Sequence, residues 1–133
     1  MSKPRVLYVE DEADLRQLLS TMFELMGYHV QCADNGQTGT EQAKIWQPDV
    51  ILMDLRMPVM SGSEAIKIIR SDPHTAHIPI FVLSAYTDAK TREECRQVGA
   101  TRFFTKPISV AQINEAILET LQSTREVREA NAS

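Results

Sequence analysis

Five short apolar runs alternate with longer stretches of helical periodicity, and this alternation limits the fold more than any other feature of the sequence. The runs are rich in Val, Ile and Phe and cover residues 6–9, 29–33, 50–53, 78–83 and 101–104. Alternating strands and helices are typical of βαβ units around a parallel sheet. Because the runs contain few polar interruptions, they predict strands that are covered by helices on both faces.

The first helix is predicted most clearly, because its apolar residues recur in steps of three and four and end before Gly27. The residues of this stripe are Leu15, Leu18, Leu19, Met22, Phe23 and Met26. The second and third helices are predicted over residues 37–46 and 63–70, with Ile66 and Ile69 of the third facing the core. The fourth, over residues 88–98, is mostly polar, so we expect it to pack shallowly and to shift easily.

The fifth helix begins after Ser109, which forms a capping pattern with Gln112. Its apolar stripe consists of Ile113, Ala116, Ile117 and Leu121. Beyond this stripe, residues 122–133 lose their apolar face, so they are a frayed helix end, a linker or a disordered tail. We therefore expect one domain over residues 3–121 and a C-terminal tail or linker over residues 122–133.

Net charge and composition exclude several classes of partner. The chain of 133 residues carries a net charge of −4, so its overall field repels nucleic-acid phosphates and anionic lipids. No apolar run approaches the ~20 residues that span a bilayer. Cys32 and Cys95 lie far apart without metal-ligand spacing, as expected of free thiols in a reducing compartment. These features predict a cytoplasmic protein that binds neither nucleic acid nor membrane directly.

Polar residues follow four of the five predicted strands. Glu10 and Asp11 follow the first, Asp54 the third, Ser84 the fourth, and Thr105 with Lys106 the fifth. Ligands of open parallel sheets bind outside the carboxyl ends of the strands. In a flavodoxin-like, doubly wound (βα)5 sheet with strand order 2-1-3-4-5, the first and third strands are neighbours, so the three carboxylates converge.

Three converging carboxylates repel one another in a partly desolvated cleft, and a hard divalent cation compensates that repulsion. Mg²⁺ fits best, because it prefers oxygen ligands and leaves coordination positions for a phosphoryl oxygen. Lys106 and Ser84 are suited to bind further phosphoryl oxygens. The pattern therefore predicts a phosphoryl-transfer site in which Asp54 is the nucleophile.

Each of these residues also has an ordinary structural explanation. Asp54 could begin a turn, Lys106 could lie in a surface loop, and serines such as Ser84 often follow strands. Glu12 is interpreted as part of the helix N-terminus, where acidic residues are favoured. The functional interpretation rests on the combination at one edge of the sheet. His74 and His77 are interpreted as exposed loop residues, because prolines flank them and no third ligand follows.

The motifs resemble those of the receiver domains of bacterial response regulators. The resemblance covers residues 3–121 and rests on four segments in a fixed order: Val9-Glu10-Asp11-Glu12, Asp54-Leu55-Arg56-Met57-Pro58 with Gly62, Ser84-Ala85 and Lys106-Pro107. It implies that Asp54 accepts a phosphoryl group from a sensor histidine kinase or a histidine phosphotransfer protein. It also implies that Asp11, Asp54 and the backbone carbonyl of Arg56 hold Mg²⁺, and that Glu10, an Asp in many relatives, reaches the ion through water.

The resemblance further implies a conformational switch that controls an unknown downstream effector protein. Ser84, followed by Ala85, would move toward the phosphoryl group while Phe103 turns inward, and the output surface would be the fourth helix, fifth strand and fifth helix. A cis peptide between Lys106 and Pro107 would aim the Lys106 amine at the cleft. Arg56 and Tyr86 occupy positions that tune the lifetime of the acyl phosphate in the family.

The sequence disfavours three alternative functions. A phosphatase resembling the haloacid dehalogenase group would need an acid two residues after the nucleophile, where this chain has Arg56. A flavin-binding module would need a phosphate-binding loop after the first strand, where this chain has acids. An inactive receiver is disfavoured because Asp11, Asp54, Ser84 and Lys106 are all present. The expected protein is thus a phosphoacceptor switch and not an enzyme acting on an external substrate.

Overall fold

The computed structural model describes residues 3–57, 59–85 and 88–132. Its strands are β1 (Arg5–Val9), β2 (His29–Ala33), β3 (Val50–Asp54), β4 (Ile80–Ser84) and β5 (Arg102–Thr105). Its helices are α1 (Ala13–Leu25), α2 (Gly36–Trp46), α3 (Gly62–Ser71), α4 (Ala89–Val98) and α5 (Val110–Ala132). The strands pair in parallel in the order β2-β1-β3-β4-β5. The predicted flavodoxin-like (βα)5 fold is therefore confirmed.

The predicted strand boundaries were wrong mainly at β4. The apolar run starts at residue 78, but β4 begins at Ile80. Ile78 instead closes a turn in which its backbone N–H donates to the Thr75 carbonyl, and Pro79 has no N–H with which to continue a ladder. At the other end the strand includes Ser84, and β3 likewise includes Asp54. Two of the predicted site residues thus belong to the sheet itself.

Two apolar clusters cover the two faces of the sheet, as expected when parallel strands are buried on both sides. Successive residues of β1 and β3 alternate between them: Leu7 and Ile51 lie in one cluster, whereas Val6 and Val50 lie in the other. Residues of α2, α3 and α4 complete the first cluster, and residues of α1 and α5 complete the second. Burial of each large aliphatic side chain stabilises the fold by about 1.5–3 kcal/mol.

The apolar stripe of α1 is wider than the surface that the helix buries. Leu19 and Phe23 are buried, whereas Leu18 is 58% exposed and Met26 is 44% exposed. Met22 also lies at the solvent side, and Leu25, which was outside the predicted stripe, is 84% exposed. The predicted apolar stripe is therefore only partly buried. The sheet covers only its centre and leaves a row of apolar side chains in water.

Helices α3 and α4 have ten residues each but pack to different depths. Helix α3 buries Ile66 and Ile69, as predicted, together with Gly62 and Ala65. All residues of α4 are described, and only Cys95 is buried. The prediction of a shallowly packed fourth helix is confirmed. Fewer buried apolar groups make α4 the helix that shifts at the smaller cost.

The fifth helix begins as the capping pattern predicted and ends later than its apolar stripe. The Ser109 hydroxyl accepts a hydrogen bond from the Gln112 backbone N–H at 3.3 Å. Ile113, Ala116 and Ile117 are buried. The helix then continues to Ala132, so the segment after Leu121 is helical over its described length. Within the described residues, no helix is both long and apolar enough to cross a membrane.

Candidate functional site

The sheet register brings the predicted carboxylates together. Val9 of β1 pairs with Met53 of β3, so the next residues, Glu10 and Asp54, emerge side by side at the carboxyl edge of the sheet. Glu10 is 1% exposed and Asp54 is 7% exposed, whereas Asp11 points into solvent. One carboxylate oxygen from each of Glu10, Asp11 and Asp54 lies within 4.8 Å of the other two. Such a cluster offers the oxygen ligands that a hard divalent cation prefers.

Lys106 supplies a positive charge to this cluster from the end of β5. Its backbone N–H donates to the Ser84 carbonyl at 2.8 Å, which fixes the residue beside β4. Its Nζ donates to Glu10 Oε1 at 2.9 Å and lies 3.4 Å from Asp54 Oδ2. The peptide bond between Lys106 and Pro107 is cis. The ammonium therefore bridges two of the three carboxylates and lies nearer to Glu10 than to Asp54.

The electrostatics of the cluster distinguish its members. Burial and the neighbouring Glu10 carboxylate raise the pKa of Asp54 to about 7, although Lys106 opposes the shift. Burial and Glu10 also raise the pKa of Asp11. The pKa of Glu10 is lowered, because its hydrogen bonds with Asp54 and Lys106 outweigh burial. Negative charge thus concentrates on Glu10, and an added cation beside Asp54 would lower its raised pKa.

Glu10 is held by more groups than sequence reasoning anticipated. The buried Tyr8 hydroxyl donates to Glu10 Oε1 at 3.3 Å, and burial with the Glu10 charge keeps the pKa of Tyr8 above its ordinary value. The Glu12 backbone N–H donates to Glu10 Oε2 at 3.4 Å. Arg16 Nη1 donates to the Glu10 backbone carbonyl at 2.8 Å. Tyr8 could have been found from its position two residues before Glu10, on the same face of the strand.

Glu12 lies just before α1, which agrees with its interpretation as part of the helix N-terminus. It occupies the N-cap position with extended backbone angles, but its side chain accepts no capping hydrogen bond. Its backbone amide instead contacts Glu10. Of the three acidic residues after β1, Glu10 and Asp11 therefore belong to the site and Glu12 begins the helix.

A glycine after the third strand lets the chain pass close to Asp54. A Cβ at Gly62 would overlap the backbone carbonyl oxygen of Asp54 and lie 2.8 Å from Leu55 Cα. The Gly62 N–H donates to the Leu55 carbonyl at 2.9 Å, which closes the loop over the end of β3. This contact fixes the backbone that carries the Asp54 carboxylate, so a larger residue at position 62 would displace it.

The remaining predicted residues lie around the cluster. Ser84 is 2% exposed and directly follows Leu83, the pairing partner of Asp54, whereas Ala85 is exposed. Phe103 is half-buried against the α3 side of the core, and the Arg92 guanidinium lies 5.1 Å from its ring centroid. Arg56 is exposed, and its backbone N–H donates a hydrogen bond to the Asp54 carboxylate. Tyr86 and Pro58 lie outside the described residues.

His74 and His77 lie where the sequence placed them. Both side chains are exposed in the segment between α3 and β4. His74 Nδ1 lies 3.0 Å from Asp72 Oδ1, so this imidazole is paired locally with a carboxylate. Among the described residues, the acidic cluster at Glu10, Asp11 and Asp54 is the group whose geometry suits a metal ion.

Comparison with known proteins identifies this arrangement. The family model described as "Response regulator receiver domain" matches residues 6–118. This chain belongs to that family. Receiver domains are generally phosphoacceptor switches and not classical enzymes, and they are phosphorylated by histidine kinases or phosphotransfer proteins. The resemblance inferred from the motifs is therefore confirmed at the level of the family.

Among curated relatives, the receiver is 38% identical to the regulatory protein AtoC of Escherichia coli over 118 residues, which cover 89% of this chain and 25% of AtoC. It is 34% identical to the polar-differentiation response regulator DivK of Brucella anthropi, covering 84% of this chain and 91% of DivK. The chain thus spans a quarter of AtoC but nearly all of DivK.

Solved structures show the same fold. The chemotaxis protein CheY4 of Vibrio cholerae has a TM-score of 0.80 and 34% identity, and the alignment covers 92% of this chain and 98% of CheY4. The receiver domain of the sensor histidine kinase PA1611 of Pseudomonas aeruginosa has a TM-score of 0.84 and 28% identity, covering 91% and 99% of the two chains. That structure contains a magnesium ion coordinated in its active-site cleft.

Proposed function

We propose that this receiver accepts a phosphoryl group on Asp54 in a Mg²⁺-dependent reaction and so switches the surface that controls a partner protein. The observation that carries the proposal is the incomplete charge compensation of Asp54. Its carboxylate is nearly buried beside Glu10 and Asp11, and its pKa is raised to about 7 although Lys106 is close. A buried carboxylate that is destabilised as an anion is suited to bind a cation, and it can be phosphorylated to an acyl phosphate, a mixed anhydride.

The residues of the cluster fit Mg²⁺. They offer carboxylate oxygens within 4.8 Å of one another, and the excess negative charge favours a hard cation. In this proposal Asp11, Asp54 and the Arg56 backbone carbonyl ligate the ion, and Glu10 contacts it through water. When bound, Mg²⁺ neutralises charge on the transferring phosphoryl group. The shape and charge of the cluster support Asp11 in particular, because its carboxylate is the one that projects from the buried edge toward solvent.

The proposed chemical step forms one bond and breaks one. An Asp54 carboxylate oxygen attacks phosphorus, an O–P bond forms, and the P–N bond of a donor phosphohistidine breaks with its electron pair moving to the imidazole, which takes up a proton. Lys106 Nζ, 3.4 Å from Asp54 Oδ2, is placed to bind a phosphoryl oxygen. In this proposal the hydroxyl of Ser84, which directly follows Leu83, the pairing partner of Asp54, binds another. In this proposal the domain promotes only its own phosphorylation and dephosphorylation.

The phosphoryl charge would shift a population of two conformations. In the phosphorylated one, Ser84 and Ala85 close toward Asp54 and Phe103 turns further inward. Helix α4 is the element best suited to respond, because Cys95 is its one buried residue. The output surface then consists of α4, β5 and α5, and it controls an effector protein. The tail after residue 121 would connect this receiver domain, residues 3–121, to its surroundings.

The exposed face of α1 supports a protein as phosphoryl donor. Leu18, Met22 and Leu25 form an apolar row on the solvent side of a helix that begins two residues after Asp11. We propose that a helical surface carrying the phosphohistidine docks on this row. The net charge of −4 disfavours nucleic acid and anionic membranes as direct partners. We propose a cytoplasmic location for the receiver and for the protein that donates the phosphoryl group. Met22→Ser should slow transfer from a donor protein and leave labelling by acetyl phosphate unchanged; slowing of both would contradict this docking role.

The test of the function is labelling of the purified chain by acetyl phosphate. With Mg²⁺ present, intact-mass measurement should show a gain of one phosphoryl group, and a chelator should abolish it. A mass gain that is equal with Mg²⁺ and with chelator would contradict the proposal. So would steady release of phosphate from unrelated phosphate esters, which is the behaviour of a phosphatase.

A further inference from the structure

Tyr8 stands out because its hydroxyl joins the apolar core to the acidic site. The side chain is 0% exposed and belongs to the cluster that α1 and α5 cover. Residues two apart on a strand point to the same face, so Tyr8 lies directly below Glu10. Its hydroxyl reaches the carboxylate from the core side, at 3.3 Å from Oε1. A Phe would fill the same apolar space without this contact.

The two carboxylate oxygens of Glu10 accept hydrogen bonds from different partners. Oε1 accepts from Tyr8 and from Lys106 Nζ at 2.9 Å. Oε2 accepts from the Glu12 backbone N–H at 3.4 Å. Tyr8 and Lys106 together hold Oε1 between the core and the end of β5, while Oε2 faces the Glu12 amide. A glutamate has one more rotatable bond than an aspartate, so an additional contact is needed to keep its carboxylate in one orientation.

We propose that Tyr8 is a positioning residue for the cation site, which acts by holding Glu10 in the orientation that Lys106 and a metal-bound water require. This inference rests on the proposed Mg²⁺ site and deepens it. Without the Tyr8 hydroxyl, Oε1 loses its donor from the core side and the carboxylate samples other rotamers. Glu10 can contact a metal-bound water only when its carboxylate is correctly oriented. Groups that support a metal site from outside its ligands contribute to metal affinity through such orientation. Mg²⁺ binding should then weaken although no ligand has been removed.

The test compares Tyr8→Phe with Tyr28→Phe by calorimetric titration of the metal-free chain with MgCl₂. Tyr28 is a matched control, because it is buried in the same cluster and its hydroxyl bonds to Asn114 instead of a site residue. Tyr8→Phe should raise the dissociation constant for Mg²⁺ roughly 3- to 5-fold, the effect expected for loss of one long and therefore weaker hydrogen bond to a carboxylate. Tyr28→Phe should leave it unchanged, even if both variants unfold more easily.

A second pair of variants tests whether Tyr8 acts through Glu10. In a Glu10→Ala background, adding Tyr8→Phe should change the dissociation constant by less than about 1.5-fold, because the group that Tyr8 positions is gone. An equal 3- to 5-fold effect in both backgrounds, or the same effect from Tyr28→Phe, would overturn the positioning role. An unchanged dissociation constant in Tyr8→Phe would overturn it too. If the unaltered chain itself binds no Mg²⁺, the proposed function fails along with this inference.

Discussion

Asp54 and Arg70 are charged side chains at opposite ends of the strands, and different kinds of groups surround them. The Arg70 guanidinium donates to the backbone carbonyls of Gly99 and Ala76 at 3.0 Å and of Ile78 at 2.6 Å. Asp54 instead faces Glu10 and Asp11 and shares the Lys106 ammonium with Glu10. One charge is satisfied by the fold. The Asp54 carboxylate remains close to two other carboxylates, and an additional cation would reduce the repulsion between them.

The difference separates a structural role from a functional one. Arg70 joins the end of α3 to the start of β4 and to the C-terminal end of α4, and its hydrogen bonds compensate its desolvation. When its carboxylate is ionised, Asp54 makes the fold less stable than a neutral residue at this position would, because like charges lie close to it. Proteins retain such unfavourable groups where a ligand or a reaction needs them. The following predictions test this contrast.

The largest effect is expected for Asp54→Asn, which should abolish labelling by acetyl phosphate. The amide keeps the shape of the side chain but lacks the nucleophilic oxygen anion. Asp34→Asn is the matched control, because Asp34 is exposed at the same edge of the sheet, just after β2. It should be labelled to the same extent as the unaltered chain, measured by intact mass. Full labelling of Asp54→Asn would remove Asp54 from its assigned role.

The opposite pattern is expected for Arg70→Met, which should lower the free energy of unfolding by about 2–3 kcal/mol. The carbonyls of Gly99, Ala76 and Ile78 lose a charged donor, and one or more of them remains without a partner. The folded fraction should still be labelled by acetyl phosphate. Urea denaturation gives the stability, and Arg96→Met, which removes an exposed guanidinium paired with Glu93, is the control that should leave it nearly unchanged. Equal losses in the two variants would contradict a structural role for Arg70.

Within the acidic cluster, Asp11→Ala should weaken Mg²⁺ binding more than Glu10→Ala. We expect more than about 100-fold for the direct ligand Asp11, and about 10-fold for Glu10, which acts through water. Glu10 Oε1 is already engaged by Lys106 and Tyr8, so in this account Glu10 contacts the ion through water and not as a direct ligand. Calorimetric titration with MgCl₂ measures both values. Equal losses of affinity would contradict the division between direct and water-mediated roles.

The raised pKa of Asp54 predicts that the metal-free chain loses stability between about pH 5 and pH 8. The folded chain keeps a proton on Asp54 up to about pH 7, whereas the unfolded chain releases it near its ordinary pKa of 3.8. The folded state therefore binds more protons in this window, and the free energy of unfolding falls by at most about 1.4 kcal/mol per pH unit. The lowered pKa of Glu10 acts only at lower pH.

Urea denaturation at several pH values, without metal, measures this slope. In Asp54→Asn the fall between pH 5 and pH 8 should be much reduced, and at pH 8 the variant should be more stable than the unaltered chain. Saturating Mg²⁺ should restore stability to the unaltered chain at pH 8, because the ion binds the folded state. A metal-free stability that rises with pH over this range would contradict the charge imbalance at Asp54.

Much of the fold and of the site could be predicted because local patterns carried the information. Unbroken apolar runs indicated buried parallel strands, and polar residues at their ends indicated where Asp54, Ser84 and Lys106 would meet. The sparse apolar face of α4 indicated its shallow packing before Cys95 was seen to be its one buried residue. These features depend on residues close together in the sequence, or on the known tendency of strand ends to converge.

Other features depended on tertiary packing and were missed. Periodicity could not show that the sheet would leave Leu18 and Met22 in water, because the width of the covered face depends on neighbouring elements. Arg70 had no sequence signal, since its partners are three backbone carbonyls from two separate segments, the α3–β4 connection and the end of α4. The Tyr8 hydroxyl was hidden by the residue's role in the apolar core. Contacts made by a minor part of a side chain are not visible in a pattern of polarity.

The measurement that tests the central claim most directly is chemical mapping of the phosphoryl group on the unaltered chain. After treatment with acetyl phosphate and Mg²⁺, borohydride reduces an acyl phosphate to an alcohol and so converts the modified aspartate to homoserine, which peptide mass spectrometry locates. The account predicts homoserine at position 54 and nowhere else, with none when Mg²⁺ is chelated. Homoserine at position 11, or a stable phosphoryl group that resists borohydride, would contradict it.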